Sequence, residues 1–290
     1  MGAIENFSCE AISIERRNGV GTLWLDRPEK RNAINEALWT GIVAGLEALE
    51  SDGETRAIVL AGRGHSFCVG LDLALLGGSG GGASSNSSAK KDGLSGSLSG
   101  ATANLRQLAN TKSIQASITR IAKTSVPVIA AIHGWCIGGG LDIATACDIR
   151  IASTDALFGI RETKIGIVAD IGTLQRLPKV ITAGHVAELA YTGKDIDAAR
   201  AEKIGLVNDV HADAEATYQA AFEMALEIAA NAPLAVRGTK FVLENGEDLT
   251  TEQSLLLNGI WTMITTLNSQ DLGEAMKAFM EKRTPEFKGR

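Results

Sequence analysis

The sequence predicts an α/β fold, because short apolar strands alternate with segments of helical periodicity along most of the chain. A period-two pattern of apolar residues around Asn18-Gly19 indicates a β-hairpin. The segment 35–49 carries leucine and isoleucine at helical spacing, which predicts a helix with one buried face. Three apolar runs, at 56–61, 126–133 and 148–152, have the length and composition of buried strands.

The last quarter of the chain is predicted to be helical from about His211. A first helix should end near Pro233, and Thr250 with Gln253 forms a plausible capping box for a later one. A last helix is expected over 271–282. The chain is therefore divided into a core, 1–208, and a C-terminal helical segment, 209–290. Apolar stripes on this segment could pack on its own core or on another subunit: Tyr218, Phe222, Ala225 and Ala229; Leu256, Ile260, Met263 and Leu267; Met276 and Phe279.

One stretch of the core, 77–100, differs from its surroundings because glycine, serine and alanine dominate it. Such a composition cannot bury enough apolar surface to offset the entropy of ordering the chain. We expect a flexible surface insertion that is largely dispensable for folding.

Composition narrows the class of protein. The chain has 290 residues, 45% of them hydrophobic, and a net charge of -6, so neither nucleic acid nor an anionic membrane is the expected partner. No apolar run reaches the roughly 20 residues that span a bilayer, and no secretory signal is visible at the start. Four scattered cysteines and four histidines show no metal-ligand spacing, so we expect free thiols and no metal site. The compartment stays open among mitochondrial matrix, peroxisome and cytoplasm.

Two glycine-containing turns follow predicted strands, at 65–73 and at 133–142. The second contains three consecutive glycines, 138–140, at the start of a predicted helix. Glycines let a ligand approach the backbone, and two amides aimed at one point form an oxyanion hole. An equally good interpretation of the three glycines is that they only permit close packing of the helix.

Three acidic residues follow these turns within thirty residues: Asp142, Glu162 and Asp170. Asp170 stands in an apolar run, and a carboxyl group desolvated by apolar neighbours suits proton transfer near neutral pH. Each acid also has a structural interpretation. Asp142 could be the N-terminal cap or a first-turn acid of the helix, and Glu162 could form an ion pair with Arg161 or Lys164. The grouping of three acids beside a glycine turn favours a catalytic site.

Several segments together resemble the crotonase (enoyl-CoA hydratase/isomerase) superfamily: 26–35, 67–73, 134–142 and 174–178. The resemblance covers nearly the whole chain except 77–100. Within the superfamily, the segment 168–180 is most similar to the dienoyl-CoA isomerases, which move a 3,5-diene to the 2,4 position.

The resemblance implies a spiral of β-β-α repeats followed by a helical segment used in forming a trimer or a dimer of trimers. It implies a coenzyme A thioester of a fatty acid as substrate, in β-oxidation, with no separate cofactor. The backbone N–H groups of Leu71 and Gly139 would hold the thioester oxygen. The remaining coenzyme A contacts that it implies are Arg31, Ala33, Asp72, Gly138, and, near a site that could be a neighbour's, Phe279 and Lys282.

The resemblance also assigns the acids. Glu162 falls where the family keeps a catalytic glutamate, and Asp142 falls where hydratases carry their other glutamate. Asp170 falls where hydratases typically carry glycine and dienoyl isomerases carry a second catalytic acid. We therefore expect a dienoyl-CoA isomerase. An enoyl-CoA hydratase, a Δ3,Δ2-enoyl-CoA isomerase and an inactive acyl-CoA-binding protein are the alternatives.

Overall fold

The structure is a computed structural model that describes residues 2–3, 7–51, 53–72, 74 and 100–290. The predicted hairpin is confirmed, with strands β2, Ile12–Arg17, and β3, Val20–Leu25, joined at Asn18 and Gly19, whose φ angles are 54° and 78°. Two consecutive positive φ angles match the twist of a two-residue hairpin. The next predicted element is also confirmed, because helix α1 begins after Asn35, whose side chain accepts a hydrogen bond from Leu38 N.

A seven-stranded sheet forms the centre of the core, in the order β1-β2-β3-β4-β5-β7-β10. The strands from β3 onward run parallel to their neighbours, whereas β1, β2 and β3 pair antiparallel. The strands of this sheet are β1 Gly2–Ala3, β2 Ile12–Arg17, β3 Val20–Leu25, β4 Ala57–Gly62, β5 Val128–Ile132, β7 Ile149–Ser153 and β10 Asp209–His211.

Both faces of the central strands β4 and β5 are buried, which explains why their sequences are continuous apolar runs. In β4, Ile58 and Leu60 belong to the larger apolar core, which also contains the buried face of α1 (Glu36–Glu50). Their neighbour Val59 belongs to a second cluster on the opposite face, where it packs with Phe222 of the C-terminal segment. Every residue of β4 is buried.

A second sheet has three strands, and the turns that follow two of these strands carry residues of the predicted site. Strand β6, Trp135–Ile137, runs parallel to β8, Leu157–Gly159, which pairs antiparallel with β9, Asp195–Asp197. Parallel pairing places the turns after β6 and β8 at the same end of the sheet. The helices around both sheets are α2 Gly100–Ala122, α3 Gly139–Ala146, α4 Thr173–Arg176, α5 Ala183–Thr192 and α6 Ala198–Lys203.

The C-terminal segment is helical, as predicted. Its helices are α7 Ala214–Ala229, α8 Pro233–Gly246, α9 Thr251–Trp261 and α10 Gln270–Glu281. The face of α7 that carries Phe222, Ala225 and Ala229 packs on the chain's own sheet. The predicted capping box at the start of α9 is present, because Thr250 and Gln253 each bond the backbone of the other.

Two details differ from the expected helices. The apolar stripe from Leu256 to Leu267 does not lie on one α-helix, because α9 ends at Trp261 and a π-helical turn, Thr262–Thr266, follows it. Within that turn Thr265 Oγ1 donates to the carbonyl of Trp261, a back-bond that competes with regular helical pairing. The sequence patterns do not predict helix α2, Gly100–Ala122, whose first residue lies at the end of the stretch 77–100 interpreted as an insertion.

The remainder of the expected insertion, 77–99, lies outside the described residues. Within the ranges given above, no helix is long and apolar enough to cross a bilayer.

Candidate active site

The two glycine turns predicted from the sequence lie against each other. Cys68 N donates to the carbonyl of Trp135 at 2.9 Å, and Ile137 N donates to the carbonyl of Cys68 at 3.1 Å. Cys68, in the turn after β4, thereby pairs with Cys136 of β6 in a short parallel bridge. His133 is buried and its Nε2 donates to the carbonyl of Gly64 at 2.9 Å, so it joins the same two segments and has a structural role.

The consecutive glycines are required for different reasons. One permits close packing of the helix and another leaves space in the site, so both interpretations made from the sequence apply. A Cβ at Gly140 would lie 2.3 Å from the carbonyl oxygen of Cys68, which makes Gly140 a packing glycine. Gly138 has φ +53°, and a Cβ there would lie 3.1 Å from Oε1 of Glu162. Gly138 therefore leaves room for a carboxylate.

The two amides of the predicted oxyanion hole are available within the described part of the chain. Ile34 bonds the backbone of Gly70 and of Asp72, so the N–H of Leu71 between them takes no part in that pairing. Gly139 is the first residue of α3, where N–H groups have no partner within the helix. The turns touch at this point, because Gly70 Cα lies 3.4 Å from the position of a Cβ on Gly139.

A cavity of about 440 Å³ opens in front of these turns. Its volume falls within the range of small-molecule sites. Eight of the predicted site residues line it: Arg31, Ala33, Leu71, Asp72, Gly138, Gly139, Glu162 and Asp170.

Glu162 follows β8 in a 3-10 turn and lies half-buried in the cavity wall. Burial raises the pKa of its carboxyl group, and the negative charges of Asp142 and Asp170 add to the increase. Its Oε2 accepts no hydrogen bond from any described residue. The predicted alternative, an ion pair with Arg161, is wrong, because that guanidinium contacts Asp195 with bonds of 2.7 and 2.5 Å.

Asp142 is fully buried in the first turn of α3, behind the cavity lining. Its Oδ1 accepts hydrogen bonds from Thr173 N at 2.5 Å and from Thr173 Oγ1 at 2.7 Å. Burial raises the pKa of this carboxyl group to about 6, although the Thr173 bonds oppose the increase. Asp142 is thus an acid of the first turn of its helix, as one structural interpretation predicted, and its bonds to Thr173 also hold the segment that carries Asp170.

Asp170 lies in the wall of the same cavity as Glu162, on the turn before α4. The sequence placed it in an apolar run, and that run does not bury it. Asp170 is exposed in the single chain, and so are Ile165, Ile167 and Val168. The 3-10 turn and the loop after it form the rim of the cavity, where Ile165 and Ile167 line it, whereas Ala169 packs into the core.

The loop expected to meet coenzyme A is held rigidly. Buried Asn32 donates to the carbonyls of Arg63 and Ser66, at 2.9 and 2.8 Å, with φ +56°. Arg27 donates to the carbonyl of Ala33 and contacts Asp72 at 3.3 Å. A bond from Ala74 N, together with this guanidinium, lowers the pKa of Asp72.

Phe279 and Lys282 do not line the cavity of their own chain. Both lie at the end of α10, where Phe279 is 83% exposed and Lys282 adopts a left-handed conformation. Their predicted role at a neighbour's site stays a prediction.

Sequence reasoning missed three residues that support the site: Asn32, Arg161 and Thr173. Thr173 is 31 positions from Asp142, so only the fold reveals their contact. Arg161 stacks on Trp135 and pairs with Asp195, again across distant segments. Asn32 left a signal, because it lies within the motif 26–35 and asparagine tolerates positive φ.

Comparison with known proteins agrees with this geometry. The family model for enoyl-CoA hydratase/isomerase matches residues 15–99 and 98–290. A mitochondrial Delta(3,5)-Delta(2,4)-dienoyl-CoA isomerase from Dictyostelium discoideum is 39% identical over 93% of this chain and 87% of its own. A peroxisomal enzyme of the same name from Arabidopsis thaliana is 38% identical over 97% of this chain and 98% of its own.

Solved structures agree on the fold. A crystal structure of enoyl-CoA hydratase from Bacillus anthracis superposes with a TM-score of 0.83 at 31% identity, covering 97% of this chain and 100% of that one. The predicted fold class is thereby confirmed. The chain belongs to the enoyl-CoA hydratase/isomerase family, the crotonase superfamily.

Proposed function

We propose that this protein shifts the double bonds of a 3,5-dienoyl-CoA to the 2,4 positions, as an isomerase of fatty acid β-oxidation. The observation that carries the proposal is that Asp170 and Glu162 line one cavity beside the free amides of Leu71 and Gly139. The relatives named dienoyl-CoA isomerase, at 38–40% identity, support the same activity.

The first step uses the oxyanion turn and Glu162. Two N–H groups at the thioester oxygen stabilise negative charge on that oxygen, so the C2 proton becomes more acidic. Glu162 takes this proton. The C2–H bond breaks, and its electron pair spreads through the conjugated chain onto the thioester oxygen. The raised pKa of Glu162 makes it a stronger base than an ordinary glutamate.

The second step uses Asp170. Its protonated carboxyl group delivers a proton to C6, the far end of the conjugated system, which forms the C6–H bond and leaves the double bonds at 2 and 4. C2 and C6 are too far apart for one carboxylate to serve both, so two acids on one cavity wall fit the reaction. Solvent then restores the proton of Asp170 and removes that of Glu162.

Hydration is the second candidate, because the solved relatives include enoyl-CoA hydratases. A hydratase needs two carboxylates that hold a water over C3. Here Asp142 is fully buried, does not line the cavity, and gives its Oδ1 to Thr173. Only Glu162 of that pair reaches the substrate space, which favours isomerisation.

The substrate is bound as its coenzyme A thioester, and we propose no additional cofactor. The related enzymes are named mitochondrial or peroxisomal, and both compartments are among those left open by the sequence.

The test is a comparison of two substrates. Purified protein is incubated with 3,5-dienoyl-CoA and with 2-enoyl-CoA, and the absorbance of conjugated dienoyl thioester and the loss of the enoyl chromophore are followed. We expect turnover of the diene to exceed hydration. Faster hydration of the enoyl thioester would identify a hydratase, and no turnover of either would favour an acyl-CoA-binding protein.

A further inference from the structure

Helix α2 contacts the turn that carries Asp170 at two points that the proposed reaction does not use. Gln115 Nε2 donates to the carbonyl of Asp170 at 2.5 Å. One helical turn later, Thr119 Oγ1 accepts a bond of 2.8 Å from Arg176 Nη2. Residues four apart lie on the same face of a helix, so one face of α2 serves both contacts.

The guanidinium of Arg176 also contacts the turn that carries Asp170. Its Nη1 lies 3.5 Å from the carbonyl oxygen of Ile171. Gly172 has φ +137°, and a Cβ there would lie 1.8 Å from this nitrogen. The absence of a side chain at Gly172 is therefore what lets the guanidinium fold over the turn.

The carboxylate of Asp170 has no comparable support. No residue within the described ranges donates a hydrogen bond to this carboxylate. The one hydrogen bond described for Asp170 is the bond that its main-chain carbonyl accepts from Gln115. The direction of this side chain is therefore determined by the backbone of its turn, which Gln115 and Arg176 hold from one side and the Asp142–Thr173 bonds hold after it. Glu162 is positioned by different elements, since it follows β8 next to the Arg161–Asp195 pair.

We propose that Gln115 and Arg176 are positioning residues that aim the Asp170 carboxylate at the distal end of the diene. The proposal rests on the isomerase function proposed above. Under this proposal, different structural elements position the groups for the two proton transfers. The turn after β8 controls removal of the C2 proton, and helix α2 controls delivery of the proton to C6.

The test uses Gln115→Met, which keeps the length of the side chain and removes the donor. Gln107→Met is the matched control, because Gln107 is exposed on the same helix and makes no described contact. Each variant is given 3,5-dienoyl-CoA in deuterated water, and C2 deuteration and formation of the 2,4-diene are measured separately. For Gln115→Met we expect isomerisation to fall by roughly 10²-fold, the scale of a catalytic group misplaced by about 1 Å. C2 exchange, KM and the melting temperature should stay near wild type.

A second background isolates the route of the effect. In Asp170→Asn, adding Gln115→Met should cause no further loss, because the contact acts only through that carboxylate. Thr119→Val, which removes the anchor of Arg176 and keeps the shape of the side chain, should give the same selective loss as Gln115→Met.

Three results would overturn the proposal: wild-type isomerisation by Gln115→Met, equal loss of exchange and isomerisation, or a further loss in the Asp170→Asn background. Failure of the wild-type protein to convert the diene is a separate outcome. It would overturn the proposed function first, and this proposal with it.

Discussion

The three acids of the site lie near one another but differ in their surroundings, and only Glu162 and Asp170 line the cavity. Asp142 is buried and bonded to Thr173, Glu162 is half-buried with one free oxygen, and Asp170 is exposed on the rim. A carboxyl group that must exchange protons with substrate needs access to the cavity, which Glu162 and Asp170 have. Asp142 supports the site from behind.

The division of labour between Glu162 and Asp170 gives the first prediction. Glu162→Gln keeps the size of the side chain and removes the base, so C2 exchange and isomerisation should both collapse. Asp170→Asn should lower isomerisation by roughly 10²–10⁴-fold, as for other lost acid–base groups, while part of the C2 exchange survives. Deuterium incorporation followed by mass spectrometry distinguishes the two. A wild-type rate of isomerisation in Asp170→Asn would leave Asp170 without a catalytic role.

Asp142 gives a prediction about stability and pH. Its carboxyl group keeps a proton up to about pH 6 in the folded state, against an ordinary pKa of 3.8. Between these values the folded state binds more protons than the unfolded state, so the free energy of unfolding falls as pH rises. Asparagine does not titrate. The unfolding free energy of Asp142→Asn relative to wild type should therefore increase between about pH 4 and pH 7, by up to about 3 kcal/mol.

Denaturant unfolding at both pH values measures this difference. Gln107→Asn is the control, because it changes an exposed side chain without adding or removing a titrating group, and its effect should be the same at both pH values. If Asp142→Asn differs from wild type by the same amount at both pH values, the buried carboxylate does not destabilise the folded protein.

At the scale of elements, contact between the two glycine turns holds the oxyanion amides together. A Cβ at Gly140 would meet the backbone oxygen of Cys68 at 2.3 Å, and a backbone atom cannot move aside as a side chain can. Gly140→Ala should therefore lower the free energy of unfolding by about 1–3 kcal/mol, as other overpacked sites do, and lower turnover with it.

Gly184→Ala is the matched control for this change. Gly184 lies in helix α5 and nothing surrounds the position of its Cβ within 4 Å. This substitution should be neutral or stabilise the protein by up to about 1 kcal/mol. Equal melting temperatures of Gly140→Ala and wild type would show that the turns do not need the close approach.

The same elements show how far the sequence could go. The hairpin and α1 were predicted because local periodicity and turn chemistry determine them. Helix α2 was missed because its first half is exposed and shows no buried apolar face, although Ile114, Ile118 and Ile121 form a buried stripe in its second half. The contact of Gln115 with Asp170 joins residues 55 positions apart, and no local pattern encodes it.

At the scale of the whole molecule, the C-terminal helices expose more apolar surface than a solitary chain ordinarily does. Ten large apolar side chains between Leu255 and Met280 are at least 41% exposed: Leu255, Leu256, Ile260, Met263, Ile264, Leu267, Leu272, Met276, Phe279 and Met280. We propose that another subunit covers this surface in a homotrimer or a dimer of trimers.

Light scattering at micromolar concentration tests the assembly. Wild type should have three or six times the mass of one chain. Ile264→Glu, at a side chain that is 70% exposed, should lower that mass because a buried carboxylate without a partner is costly. Ala199→Glu adds the same charge on the exposed face of α6 and should leave the mass unchanged. A monomeric wild-type protein would contradict the proposal.

Phe279, at the exposed end of α10, is predicted to contribute to the coenzyme A site of a neighbouring subunit. It is 83% exposed and does not line its own cavity, so a role at coenzyme A requires a neighbouring subunit. Phe279→Ala should then raise the KM of the thioester. Mixing this variant with Glu162→Gln, after dissociation and reassembly, should restore activity above the sum of the two. Mixed trimers join an intact Glu162 on one chain to an intact Phe279 on the next. If activity stays at the sum of the separate variants, Phe279 serves no neighbouring site.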